Sequence, residues 1–193
     1  MSDTDPKDVR SWSGPINNLA EDERRSLVNS MSAESRPRIA IAEALRNHWF
    51  EIWYQPKIDL KRKCLAGAEA LARIRHPDLG VLLPGSFLPD VDEASVAELA
   101  QHALMATLCD WSMFEQAGFN LHLAINVPVG VLLKLPIAKL VAEYRPKSPR
   151  WPGLIVEVTE DQIVRDLALA QKIASQLQVS GIKIAIDDFG AGY

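Results

Sequence analysis

The sequence predicts an α/β fold of the TIM-like (β/α) barrel type, incomplete, with about five of the usual eight strands present. Three observations carry this. Short runs rich in β-branched residues alternate with helical segments, which implies parallel strands joined by helical crossovers. Two of those runs, LAIN at 123–126 and IAID at 184–187, place bulky apolar residues on one face and an alanine, then a polar group, on the other. The composition, 48% hydrophobic and 24% charged over 193 residues, suits a globular domain with a substantial core.

Residues 1–36 are polar and interrupted by Gly14 and Pro15, with one short helical pattern before Pro37; they are expected to be a linker or leader. The folded domain, 37–193, begins with an amphipathic helical run, IAIAEALRNHWF at 39–50. FEIWYQPKIDL at 50–60 and LAGAEALAR at 65–73 follow as strands close enough to pair as a hairpin, the second ending in an HPDLG turn. A long helix is expected over about 94–116, because Ala100, Leu104, Leu108 and Trp111 recur at helical spacing and Gly118 stops it.

LHLAINV at 121–127 is the third strand. A helix then opens at Pro136, a favoured first-turn residue, with Ile137, Leu140, Val141 and Tyr144 on one side. LIVEVTE at 154–160 is the fourth strand, and 166–179 a helix with Leu167, Ala170, Ala174 and Leu177 inward. IKIAID at 182–187 is the fifth, with Ile182, Ile184 and Ile186 expected to pack outward.

A formal net charge of −4 offers no broad cationic surface for polymer nucleic acid or an anionic membrane. No stretch approaches the roughly 18 apolar residues that span a bilayer, and the N-terminus has no apolar signal core, so a cytoplasmic location is expected. Cys64 and Cys109 stand alone, outside any CxxC spacing, and the four histidines show no HxxxH or HExxH pattern. Packing, turn or solvent roles suit them better than metal ligation. Five tryptophans, including Trp111, are likewise simplest as packing residues.

In a parallel barrel the reacting groups come from the C-terminal strand ends, where Glu69, Asn126, Glu157 and Asp187 fall. Carboxylates forced together repel unless a divalent cation neutralises them, and oxygen-only ligands favour Mg²⁺ or Mn²⁺ over zinc. The Asp187–Asp188 pair is the sharpest feature, since one carboxylate can bridge two metals while its neighbour holds the second. Metal-dependent aldolases and enolase-like barrels fit this pattern equally well. Lys183, at the start of its strand, is poorly placed to serve a lyase.

YQP at 54–56, EALAR at 69–73, HP at 76–77, FLP at 87–89, AIN at 124–126, EVTE at 157–160 and DDFGAGY at 187–193, in that order, resemble the signatures of the EAL-domain family of cyclic di-GMP phosphodiesterases. The resemblance implies that Glu69, Asn126, Glu157 and Asp187 hold a first cation, Mg²⁺ or Mn²⁺, and that Asp187 bridges to a second also bound by Asp188. It implies hydrolysis of cyclic di-GMP to pGpG, with Gln55 and Arg73 contacting the dinucleotide and Glu160 anchoring the loop after DDFG. A homodimer is an option for the complete domain.

Two departures stand out. Where the family commonly has a serine two positions after the asparagine, Pro128 stands here. The chain stops at Tyr193, before the family's water-orienting lysine and distal acids, so the expectation is the N-terminal portion of the domain, inactive as a fragment. The competing expectation is a degenerate domain that binds cyclic di-GMP or a protein as a regulator.

Overall fold

The computed structural model describes residues 39–159 and 167–187. The chain forms two compact units: one from the described residues up to Glu51 together with Ala72–Ser95, the other from Ile52–Leu71 and the described residues from Val96 onward.

The smaller unit opens with helix α1 (Ile41–Arg46), which is shorter than the apolar periodicity over 39–50. His48 takes the left-handed conformation, φ 56°, and the Trp49 N–H reaches back to the Ala44 carbonyl at 2.9 Å while His48 bonds Leu45. That is a Schellman closure, which ends the helix and turns the chain into strand β1 (Phe50–Asp59). Strand β2 (Cys64–His76) outruns the strand read at 65–73, because its last residues pair antiparallel with a short strand, β3 (Gly80–Leu82), in the register Ile74↔Leu82 and His76↔Gly80. The His76 ring nitrogen Nδ1 accepts the N–H groups of Asp78 and Leu79 and so shapes the HPDLG turn. Helix α2 (Pro84–Phe87) follows, and Ile41, Ala44, Ile74, Val81, Leu82 and Phe87 are buried.

The larger unit carries the sheet in the order β1-β2-β4-β5-β6, with β4 at His122–Asn126, β5 at Leu154–Thr159 and β6 at Ile182–Asp187. From β2 through β6 the neighbours are parallel. The long helix α3 (Glu93–Gln116) buries Ala100, Leu104, Leu108 and Trp111, the face that the spacing predicted. The Trp111 indole N–H donates to the Leu121 carbonyl at 2.9 Å, so burial costs that ring no unmade hydrogen bond.

Pro128 caps a helix absent from the sequence reading, α4 (Val129–Lys134): its carbonyl accepts the N–H groups of Val131 at 2.9 Å and Leu132 at 3.0 Å. Proline at this position gives up only a donor that a helix start leaves unused. Helix α5 (Ile137–Tyr144) buries Ile137, Leu140 and Val141, and α6 (Leu167–Gln178) adds Ile173 and Leu177 to the core. Of the apolar positions on β6, Ile182 is buried and Ile184 packs partly against the core. Ile186, expected to pack outward with them, is 47% exposed although its neighbour at the same level, Val158, is buried; β6 is the last strand in the order, with no described strand on its far side.

One close approach sets the sheet. A side chain at Gly67 would put its Cβ 2.6 Å from the His122 carbonyl oxygen, so β2 and β4 pair as they do only because position 67 has none. Among the described residues no helix is long and apolar enough to cross a membrane.

Candidate functional site

Register and alternation fix which residues share the face turned away from the apolar core. Gly67 lies beside His122; one step along, Glu69 lies beside Ala124, Ala124 beside Ile155, and Ile155 beside Lys183. The next step holds Asn126, Glu157 and Ala185, and the last Thr159 and Asp187. All four positions read as strand-end ligands therefore stand on one face. Asn126, Glu157 and Asp187 lie toward the C-terminal ends of their strands. Glu69, expected at a strand end, is mid-strand because β2 runs on to His76 to pair with β3. The opposite face, with Ala68, Ala70, Leu123, Ile125, Val156 and Val158, enters the core.

Three of the four meet. The Asn126 amide Nδ2 donates to Glu69 Oε1 at 2.7 Å. The Lys57 ammonium lies 3.6 Å from Glu69 Oε2 and donates to Glu157 Oε1, so one cationic group joins both carboxylates. Glu157 is 6% exposed, and its Oε2 has no hydrogen-bond partner among the described residues. A buried carboxylate oxygen without a donor is costly. A hard divalent cation satisfies such an oxygen, so the donor set of two carboxylates and an amide fits Mg²⁺ or Mn²⁺.

Asp187 is half-buried one step further along β6 than the level of Glu157. As they stand, no three His, Cys, Asp or Glu side chains among the described residues form a group able to hold a metal ion. Asp188 and Glu160 lie outside the described residues. Gln55 is exposed on β1, two residues from Lys57 and so on the same face of that strand. Arg73 belongs to the smaller unit, where its Nη1 donates to the Ala72 carbonyl at 2.8 Å and burial holds its pKa below the usual value.

Lys57 is the residue that sequence reasoning passed over. Its signal was present: a lysine two positions after Gln55 in a strand shares that glutamine's face, yet beside Asp59, Lys61 and Arg62 it reads as ordinary hairpin charge. Its strand is braced from the other side by Tyr54, whose hydroxyl donates to Asp110 Oδ2 at 2.7 Å and whose ring meets Phe114 edge-on. Burial first, then the Asp110 carboxylate, push the Tyr54 pKa far up, so the phenol stays a donor.

Lys183 and His122 pair on the same face toward the starts of β6 and β4, Lys183 level with Glu69, the ammonium donating to Nε2 at 3.3 Å. Burial, then the Lys183 charge, hold the His122 pKa below its ordinary 6.5. Cys64 and Cys109 are exposed free thiols.

A family model, that of the EAL domain, matches residues 38–193. The chain is 31% identical over 173 residues to the cyclic di-GMP phosphodiesterase RocR of Pseudomonas aeruginosa, an overlap of 88% of this chain and 44% of that protein. With the cyclic di-GMP phosphodiesterase PdeL of Escherichia coli it shares 31% identity over 157 residues, 80% of this chain and 43% of that protein. It spans 27% of an uncharacterised Mycobacterium tuberculosis relative, Rv1354c, at 32% identity over 170 residues, 85% of this chain. Among solved structures it resembles the PaMucR phosphodiesterase in complex with c-di-GMP, with TM-score 0.69 and 29% identity over 79% of this chain and 63% of that one.

Proposed function

This chain belongs to the EAL-domain family, and from that premise we propose that it contributes the cation-binding strands of a phosphodiesterase that hydrolyses cyclic di-GMP to pGpG. The chain spans less than half the length of the RocR and PdeL proteins, so the activity is proposed for the whole domain. The observation that carries the reading is the buried Glu157 carboxylate, with one oxygen on Lys57 and the other without a donor among the described residues, at a strand end shared with Asn126, which bonds Glu69. A lone surface acid would be solvated; this one is built for a cation.

In the proposed mechanism Glu69, Asn126, Glu157 and Asp187 would hold one Mg²⁺ or Mn²⁺, and Asp187 with Asp188 would hold a second. Two such ions would supply an activated water and a clamp on the scissile phosphate. Asn126 orients Glu69 through its amide, and the burial of Glu157 keeps water from competing for its oxygens. Gln55, on the face of β1 that also carries Lys57, and Arg73 contact the dinucleotide; the planar guanidinium fork suits a phosphate. By the family resemblance, Glu160 would steady the loop that follows DDFG.

The test is Glu69→Ala and Glu157→Gln in the complete domain, with pGpG release followed at saturating Mn²⁺. Each should lower turnover by at least about a hundredfold, since even outer-shell changes at metal sites cost 10–100-fold. Unchanged turnover in either variant removes that residue from the cation site. A parent domain that binds cyclic di-GMP yet releases no pGpG would be a binding regulator, and the hydrolase reading would fall.

A further inference from the structure

We infer that Lys57 is a built-in counter-ion that competes with the divalent cation for Glu69 and Glu157, so that cation binding displaces its ammonium. The inference rests on the cation site proposed above and adds to it the residue that sets the site's affinity.

Lys57 contacts both carboxylates at once, 3.6 Å from Glu69 Oε2 and hydrogen-bonded to Glu157 Oε1. An ammonium there reduces the pair's charge from −2 to −1 and occupies an oxygen that a cation needs. An ammonium and a divalent ion on the same oxygen repel each other, and the ion carries the larger charge. Lys57 also has somewhere to go. Its side chain is 39% exposed against 8% for Glu157, and four carbons let the head group swing into water. The cation thus meets one Glu157 oxygen, Oε2, without a donor among the described residues, and a second that it must take from lysine. Such a site charges only when the cation outcompetes an internal rival, which sets a threshold on cation concentration.

The test compares the full chain with Lys57→Met and Lys57→Arg, reading Mn²⁺ affinity by electron paramagnetic resonance of the free ion. Lys57→Met should bind Mn²⁺ at least tenfold more tightly and, in chelator, melt at a lower temperature than the parent. Lys57→Arg, which keeps the charge, should bind no more tightly than the parent. A second readout follows displacement directly: in the parent chain, acetylation of Lys57 measured by mass spectrometry should speed up several-fold on adding Mg²⁺, with exposed Lys61 as the internal control. Equal or weaker Mn²⁺ binding by a folded Lys57→Met, or acetylation indifferent to Mg²⁺, overturns the inference while leaving the cation site standing. Absence of Mn²⁺ binding in parent and variants alike, with native circular dichroism, overturns the site and the inference together.

Discussion

Replacing Gly67 by alanine should loosen the sheet at the level where the site is assembled. The new Cβ would lie 2.6 Å from the His122 carbonyl oxygen, about 0.8 Å inside the 3.4 Å at which ordinary contact begins. The obstacle is main chain in the neighbouring strand, so relief requires β2 and β4 to part. Overpacking of this kind costs about 1–3 kcal/mol. Against it stands the lower entropy of the unfolded alanine chain, worth about 0.4–1 kcal/mol. The expected net loss is about 1–2 kcal/mol, or roughly 3–8 °C in melting temperature for a chain of this size. Urea unfolding followed by tryptophan fluorescence measures it. Gly85→Ala, whose added Cβ meets nothing within 4 Å, is the control and should keep the entropic gain alone, about 0.4–1 kcal/mol of added stability. Parting β2 from β4 also stretches the 2.7 Å Asn126–Glu69 hydrogen bond two residues on, so Mn²⁺ affinity should fall in the same variant. A Gly67→Ala protein with the urea midpoint of Gly85→Ala would refute the close-approach argument.

Two further outcomes follow from the polar contacts of His122 and Trp111. The folded chain holds the His122 pKa below 6.5, so the unfolded chain binds protons more readily; stability is full above pH 6.5 and declines as the pH falls through the folded value. His122→Asn should flatten, though not abolish, the fall in urea midpoint below pH 6.5, since His76 shares the same direction of shift; identical slopes in parent and variant would exclude His122 as a contributor. Trp111→Phe removes the donor to the buried Leu121 carbonyl and leaves a void, and should cost about 2–3 kcal/mol in urea unfolding. A loss under about 0.5 kcal/mol would mean that the indole N–H stabilises nothing.

Strand alternation made most of this legible before any coordinates. LAIN and IAID place their polar residues on one face because successive side chains must alternate, and the register does bring Asn126 opposite Glu157. The helix pattern of Ala100, Leu104, Leu108 and Trp111 was equally direct, since burial of one stripe leaves a 3.6-residue period. Short elements were not legible. Three residues of β3 and the six of α4 are too few for a period to show, and Pro128 stood out as a departure from the family pattern rather than as a helix cap. Lys57 was missed for a different reason: its meaning depends on Glu69 and Glu157, 12 and 100 residues away, and only the folded sheet makes them neighbours. The sequence also gives no hint that β1 and β2 are each shared between two compact units.

The steps of the sheet have one more consequence, in the electric field they create. On the strands beyond β2 the charged groups of the site face change sign with distance: Lys183 and its partner His122 come first, Glu157 one step beyond Lys183, and Asp187 at the end, while Glu69 on β2 is level with Lys183. Four strand residues separate Lys183 from Asp187, about 13 Å at 3.3 Å per residue. That polarity points one way, so a cation approaching past the strand starts climbs a repulsive potential, and one arriving over the C-terminal ends descends into an attractive one. The direction of approach is thereby set by the order of residues along β5 and β6, before any side chain closes on the ion.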